Sequence, residues 1–247
     1  MQNQTKIIYH EILKAKEAHK KLLAILLDPD KIEVKSIPAL VQKIQLSPAT
    51  HIFVGGSIVT NFILEELLTE LRNSIDLPIV LFPGDPTQIS DKADAILFLS
   101  LLSGRNSDYL IEYQVQAAPI LKKTNLEIIS TGYILIESGS ETAVARVSKT
   151  TPLQRENLDL VLATAQAGEM LGTKLIYLEA GSGAKQAISL QMISLIAKNV
   201  SIPVIVGGGI VTLRQIQEAH QAGADLVVIG TAFENDNGFF ETIKPTK

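Results

Sequence analysis

The chain has 247 residues, room for one (β/α)₈ barrel of about 250 residues and little else. Hydrophobic residues make up 46%, charged residues 19%, and the net charge is −4: enough to fill a large core, too apolar for disorder, and with no general basic field for nucleic acid. The absence of cysteine excludes disulfides, thiolate catalysis and Cys-ligated zinc.

Residues 1–21 mix Lys, Glu, His and Gln with apolar residues, unlike the unbroken apolar stretch of a secretory signal. No apolar run reaches the ~18 residues of a spanning helix, so a cytoplasmic protein is expected. Eight short apolar runs follow, at 22–27, 52–54, 79–82, 96–99, 128–129 continued by 131–136, 175–178, 204–206 and 226–229. Most are apolar on both faces, the pattern of strands buried on both sides of a parallel sheet. Helical patterns lie between them. A first helix carries His10 and His19; others cover 62–72, 108–118 (capped by Asn106 or Ser107), 155–171 (started by Thr151-Pro152), 190–197 and 213–222, the last stopped by Gly223. Strands alternating with helices predict βαβ units, and eight of them predict a closed barrel in a single domain, 1–247. An open dinucleotide-binding sheet would have a Gly-rich turn after its first strand, where this chain has Asp28-Pro29-Asp30. The connection 83–95, broken by Pro83, Gly84 and Pro86, is too short for a full helix. The third covering helix is therefore expected to be shortened or missing, which is either harmless or opens an apolar groove along the barrel side.

In such barrels chemistry sits where the strands end. Strand six ends in Tyr177-Leu178-Glu179-Ala180-Gly181-Ser182-Gly183, strand seven in Gly207-Gly208-Gly209 and strand eight in Gly230-Thr231. Glycines let backbone amides approach an anion, and the helix starts behind them add positive dipole. Three such turns in succession predict a phosphate site. Glu179 stands among them, either to take a proton from a ligand hydroxyl or to brace loop amides. Tyr177 either donates to the ligand or packs. At strand one, Asp28 and Asp30 suit Mg²⁺, which prefers oxygen ligands and bridges to phosphates, and suit a turn as well. Strand two ends in Gly55-Gly56-Ser57, which adds amides and a hydroxyl. Two anion-binding arcs facing each other across one mouth suggest transfer between two phosphorylated substrates. None of His10, His19, His51 and His220 falls at this rim, so no catalytic or metal role is assigned to them. Phe82, Phe98, Tyr109 and Tyr133 are read as core, or as tunnel wall if the gap at 83–95 is real.

The same stretches resemble the geranylgeranylglyceryl phosphate synthase family with its bacterial heptaprenylglyceryl phosphate relatives. The resemblance rests on Leu27-Asp28-Pro29-Asp30-Lys31, Val54-Gly55-Gly56-Ser57, Leu81-Phe82-Pro83-Gly84, Ala93-Asp94-Ala95-Ile96, Ser100-Leu101-Leu102-Ser103, Thr131-Gly132-Tyr133, Tyr177 to Gly183, Val206-Gly207-Gly208-Gly209-Ile210 and Gly223-Ala224-Asp225. It implies a prenyltransferase that joins a polyprenyl diphosphate, geranylgeranyl being the expected chain, to the primary hydroxyl of sn-glycerol 1-phosphate and releases pyrophosphate. It implies that Asp28 and Ser57 hold Mg²⁺. Tyr177, Leu178, Glu179, Ala180, Gly181, Ser182, Gly183, Gly207, Gly208, Gly230 and Thr231 would hold glycerol phosphate, with Glu179 as proton acceptor. A homo-oligomer, dimer or hexamer, and peripheral membrane contact are further implications. The chain departs from the family pattern after Tyr133, where a Pro-Gly-Gly-Thr-like turn is replaced by Glu137-Ser138-Gly139-Ser140-Glu141-Thr142. Rival readings are another phosphate-handling barrel enzyme, such as a sugar-phosphate isomerase or aldolase, and a non-catalytic phosphate-binding barrel. The first would want a rim histidine or an inward strand lysine, and the only strand lysine near such a place is Lys174, at a strand start.

Overall fold

The computed structural model describes residues 7–56, 63–235 and 239–240. Eight strands, β1 (Leu22–Leu27), β2 (His51–Val54), β3 (Ile79–Leu81), β4 (Ala95–Leu101), β5 (Glu127–Leu135), β6 (Leu175–Glu179), β7 (Val204–Gly207) and β8 (Leu226–Ile229), close a parallel barrel in sequence order. Closure comes from β1 pairing with both β2 and β8.

Strand side chains alternate between two cores. Outward residues such as Ile25, Ile52, Leu178 and Val227 pack against the helices. Inward residues such as Ala24, Phe53, Val80, Leu97, Tyr133, Tyr177 and Val228 fill the barrel. Both faces are therefore buried, which is why the strands read as continuous apolar runs. Each fully buried Leu or Ile contributes about 1.5–3 kcal/mol relative to exposure.

Helix α1 (Ile7–Glu17) plugs the N-terminal end of the barrel with Ile8, Ile12 and Ala15. Its first amides, Ile8 and Tyr9, donate to the Glu127 carboxylate at 2.7 and 3.2 Å, which satisfies donors that a helix start leaves unpaired. The helix ends at Glu17, so His19, expected on it, lies beyond it in the left-handed region at φ 54°. The outer layer is α2 (Ile37–Gln45), α3 (Ile63–Ser74), α4 (Tyr113–Leu121), α5 (Ala143–Ser148), α6 (Leu158–Met170), α7 (Leu190–Asn199), α8 (Leu213–Ala222) and α9 (Thr231–Asn235).

Helices α2 and α5, both short and following loops, are not among the helices the sequence predicts. The expected helix at 155–171 begins later, at Leu158, because Asn157 rather than Thr151-Pro152 caps it by accepting the Leu160 amide at 3.1 Å. The segment expected at 108–118 opens with a π-helical turn, Asp108–Glu112, whose start is capped by Asn106 Oδ1. No helix among the described residues is long and apolar enough to cross a membrane.

The expected gap in the outer ring is present. Between β3 and β4 the chain makes only a single 3₁₀ turn, Pro86–Gln88, started by Asp85. Gln88 occupies part of the space a helix would fill. Its Nε2 donates to the Gly56 carbonyl at 3.0 Å, and its Oε1 accepts from Gly84 at 3.2 Å.

Candidate active site

The register of β6 and β7 puts Glu179 beside Gly207 at the C-terminal rim. Glu179 is 5% exposed and faces inward. Its Oε1 accepts the Gly181 amide at 2.6 Å. Its Oε2 faces Gly207, where an added Cβ would lie 3.0 Å from it and 2.5 Å from the Tyr177 hydroxyl. Burial pushes the Glu179 carboxyl up to about 7, with the Gly181 amide and the nearby Tyr177 hydroxyl acting against that rise. A carboxyl poised there is half ionised near neutral pH and suited to accept a proton from a neutral alcohol. The bracing reading is seen directly in the Gly181 contact, and the second oxygen faces Gly207.

The glycine turns surround that carboxyl. At Gly208 (φ 81°) a Cβ would run into Glu179 Oε1 and lie 2.5 Å from the Gly181 amide nitrogen. At Gly181 (φ 97°) it would run into the Thr142 methyl. The turns are therefore packed to the limit that only glycine allows. The Gly208 and Gly209 amides donate to no acceptor among the described residues, which leaves them for an anion. The Ser182 and Thr231 hydroxyls come within 3.4 Å of each other and join the strand-six turn to the start of α9.

Two members of the expected set offer less. Leu178 is fully buried and points outward to the helices, because its neighbours Tyr177 and Glu179 take the inward positions. Ala180 is likewise packed outward, and its amide is held by the Gly207 carbonyl at 3.0 Å. The departing strand-five loop also has a place: Thr142 caps α5 through Ala145 and supports Gly181 from below.

On the β1–β2 arc, Asp28 ends β1 with its carboxylate at the rim. Oδ1 accepts the Asp30 amide at 3.3 Å, Oδ2 lies 3.3 Å from Lys31 Nζ, and both oxygens face Gly56. Lys31 Nζ also lies 3.6 Å from Glu234, at the end of α9. Burial pushes the Glu234 carboxyl up, and Lys31 opposes that. No motif marks Glu234 in the sequence, since only closure of β8 onto β1 brings it to Lys31 and Asp28. Ser57, the second expected metal ligand, lies outside the described residues. The described residues hold no group of three or more His, Asp or Glu side chains that could hold a metal ion. Asp28 is the rim carboxylate that could hold Mg²⁺, which keeps waters and takes remaining ligands from substrate phosphates, and here it is paired with Lys31.

The missing helix leaves an apolar cavity in the side of the barrel, open to solvent at its mouth. Phe82, Pro83, Leu97, Leu99, Ala117 and Tyr133 are among its mostly apolar walls. It runs from Gly56 at the rim past β4 to α4. Of the aromatics read as core or tunnel wall, Phe82, Phe98, Tyr109 and Tyr133 all line it.

Fold and site together define a (β/α)₈ barrel enzyme class with a buried carboxylate among glycine turns and an apolar cavity beside them. The chain belongs to the PcrB family, whose model matches residues 11–247. It is 72% identical to the geranylgeranylglyceryl phosphate synthase of Flavobacterium johnsoniae over 95% of this chain and 97% of that one. It is 50% identical to the enzyme of the same name from Zunongwangia profunda, covering 92% and 97%. Among solved structures, the (S)-3-O-geranylgeranylglyceryl phosphate synthase of Thermoplasma acidophilum, in complex with its substrate sn-glycerol-1-phosphate, superposes with a TM-score of 0.89 at 31% identity, covering 95% of this chain and 94% of that one.

Proposed function

We propose that this protein joins a polyprenyl diphosphate to the primary hydroxyl of sn-glycerol 1-phosphate, forming an ether and releasing pyrophosphate. The observation that carries the reading is the buried Glu179 carboxyl set inside amide-rich glycine turns, with an apolar cavity opening at the same mouth. The family's named relatives and the glycerol phosphate complex of the Thermoplasma enzyme support it.

In this reading the turns of β6, β7 and β8 hold the phosphate of glycerol 1-phosphate through backbone amides, Ser182 and Thr231. Glu179 takes the hydroxyl proton as that oxygen bonds to C1 of the prenyl chain. The C1–O bond to diphosphate breaks, and its electron pair leaves with pyrophosphate. Fixing both reactants at one mouth removes much of the entropic part of the barrier. The tail occupies the apolar cavity, where each buried CH₂ contributes about 0.8 kcal/mol. Mg²⁺, held by Asp28 and diphosphate oxygens, would supply charge neutralisation for the departing pyrophosphate.

The test is incubation with labelled glycerol 1-phosphate and a ladder of prenyl diphosphates, with and without Mg²⁺, followed by product mass and pyrophosphate assay. An ether lipid phosphate with stoichiometric pyrophosphate is expected. Absence of any ether product with every donor overturns the reading. A Glu179→Gln protein that keeps full turnover leaves Glu179 as a brace alone.

A further inference from the structure

Glu179 is oriented by a short bond from a glycine, the Gly181 amide reaching Oε1 at 2.6 Å. Gly181 stands at φ 97° without a side chain, so its own backbone preference does little to fix that amide. Its surroundings fix it instead. On one side is Gly208, where an added Cβ would lie 2.5 Å from the Gly181 nitrogen. On the other is Thr142, whose methyl an added Cβ at Gly181 would run into. Gly181 is therefore held between the strand-seven turn and the strand-five loop. Thr142 is anchored independently of both. It is buried, its Oγ1 accepts the Ala145 amide at 3.2 Å, and its carbonyl accepts the Arg146 amide at 3.1 Å, which caps α5. The far end of α5 is tied down by Asn106 Nδ2, which donates to the Ser148 carbonyl at 2.8 Å. Ala145 belongs to the core that fills the barrel with Tyr133, Leu135 and Tyr177. The two branches of the Thr142 side chain thus have separate contacts: the hydroxyl caps α5 and the methyl backs Gly181.

We propose that Thr142 is a positioning residue for the base: its methyl keeps the Gly181 amide on Glu179 Oε1, which leaves Oε2 directed at Gly207. This rests on the reading of Glu179 as proton acceptor and deepens it. The consequence lies in the proton affinity of the carboxyl. A hydrogen bond to the ionised form favours that form. Burial raises Glu179, and the Gly181 amide and the Tyr177 hydroxyl act against the rise. Tyr133, from β5, is the other titratable group that feels the Glu179 charge among the described residues. Loosening Gly181 therefore raises Glu179 further, and the base is lost near neutral pH by protonation while its side chain is still in place.

The test separates the two branches. Thr142→Ser keeps the cap and removes the methyl; Thr142→Val keeps the methyl and removes the cap. Each is compared with wild type by the pH dependence of kcat/KM for glycerol 1-phosphate. Each is also titrated by infrared spectroscopy of the free enzyme, on the protonated carboxyl band that Glu179→Gln lacks. In Thr142→Ser both midpoints should rise by about one pH unit, so kcat/KM falls about tenfold at pH 6 and recovers by pH 9. Thr142→Val should keep the wild-type midpoints and show only a lower Tm from the lost cap. Unmoved midpoints in Thr142→Ser, with or without a higher KM, overturn the inference and leave Thr142 as packing beneath the phosphate turn. An equal shift in Thr142→Val also overturns it and assigns the effect to the cap. A wild type that forms no ether overturns prenyl transfer, while the infrared midpoints still decide whether Thr142 sets the carboxyl.

Discussion

The amide of Gly181 donates to Oε1 of Glu179 at 2.6 Å, so the carboxyl is locked by one oxygen while the other faces Gly207 and the Tyr177 hydroxyl. Burial raises this carboxyl, and the Gly208 and Gly209 amides beside it donate to no acceptor among the described residues.

Because burial raises Glu179 to about 7 from an ordinary 4.5, kcat/KM for glycerol 1-phosphate should climb with pH and level off above about 7. The same shift has a stability consequence of opposite sense. The folded chain prefers the protonated form, so the contribution of Glu179 to stability declines as pH rises from 4.5 through about 7. Glu179→Gln should keep the Gly181 bond, lose turnover by about 10²–10⁴-fold, and lack that decline. The check is a pH–rate profile beside urea unfolding of both proteins at pH 5 and 8. A wild-type rate flat between pH 5 and 8 would count against Glu179 as the base.

Gly208→Ala forces a Cβ into Glu179 Oε1 at φ 81°. Glycerol phosphate affinity should drop by more than about tenfold, and stability by roughly 2 kcal/mol from strain and crowding together. Gly183 is the control: its φ is 73°, but nothing lies within 4 Å of the added atom. Gly183→Ala should therefore show backbone strain alone, about 1 kcal/mol by denaturant unfolding. Equal losses at the two positions would contradict the crowded-cradle geometry.

For the metal, Asp28→Asn should weaken Mg²⁺-dependent pyrophosphate binding by about tenfold or more in calorimetry and leave glycerol 1-phosphate binding unchanged. Parallel weakening of both ligands would mean that Asp28 only shapes the rim.

Ala117, on α4, lines the cavity away from the rim. Ala117→Trp should block that end, so long prenyl diphosphates lose turnover while short ones keep it. Product masses from the donor ladder decide this; an unchanged length profile would show that the chain runs elsewhere.

His51 is buried at the start of β2, with Nδ1 2.8 Å from Thr50 Oγ1 and Nε2 without a partner among the described residues. Burial lowers it to about 4 from 6.5. Its folded value lies below the unfolded one, so its contribution is complete above 6.5 and lost as pH falls from there toward 4, at up to about 1.4 kcal/mol per pH unit and about 3 kcal/mol in all. His51→Leu should flatten acid unfolding in that window, read from Tm against pH. A variant with the wild-type slope would assign the acid sensitivity to other groups.

The chain order of eight strands, the glycine turns, Glu179 and the thin stretch after β3 are legible from residues alone, because each depends on neighbours within a few positions. Apolar runs need burial on two faces, Gly-Gly-Gly permits positive φ, and Pro83-Gly84 with Pro86 forbids a long helix. Tertiary structure alone decides the rest. Closure of β8 onto β1 carries Glu234 to Lys31 and Asp28, strand alternation turns Leu178 away from the mouth that Glu179 faces, and barrel curvature brings Phe82, after β3, onto Tyr177 of β6. The first and last of these join residues dozens to hundreds of positions apart, and the register that pairs them is set by packing the whole barrel at once, which no local pattern encodes.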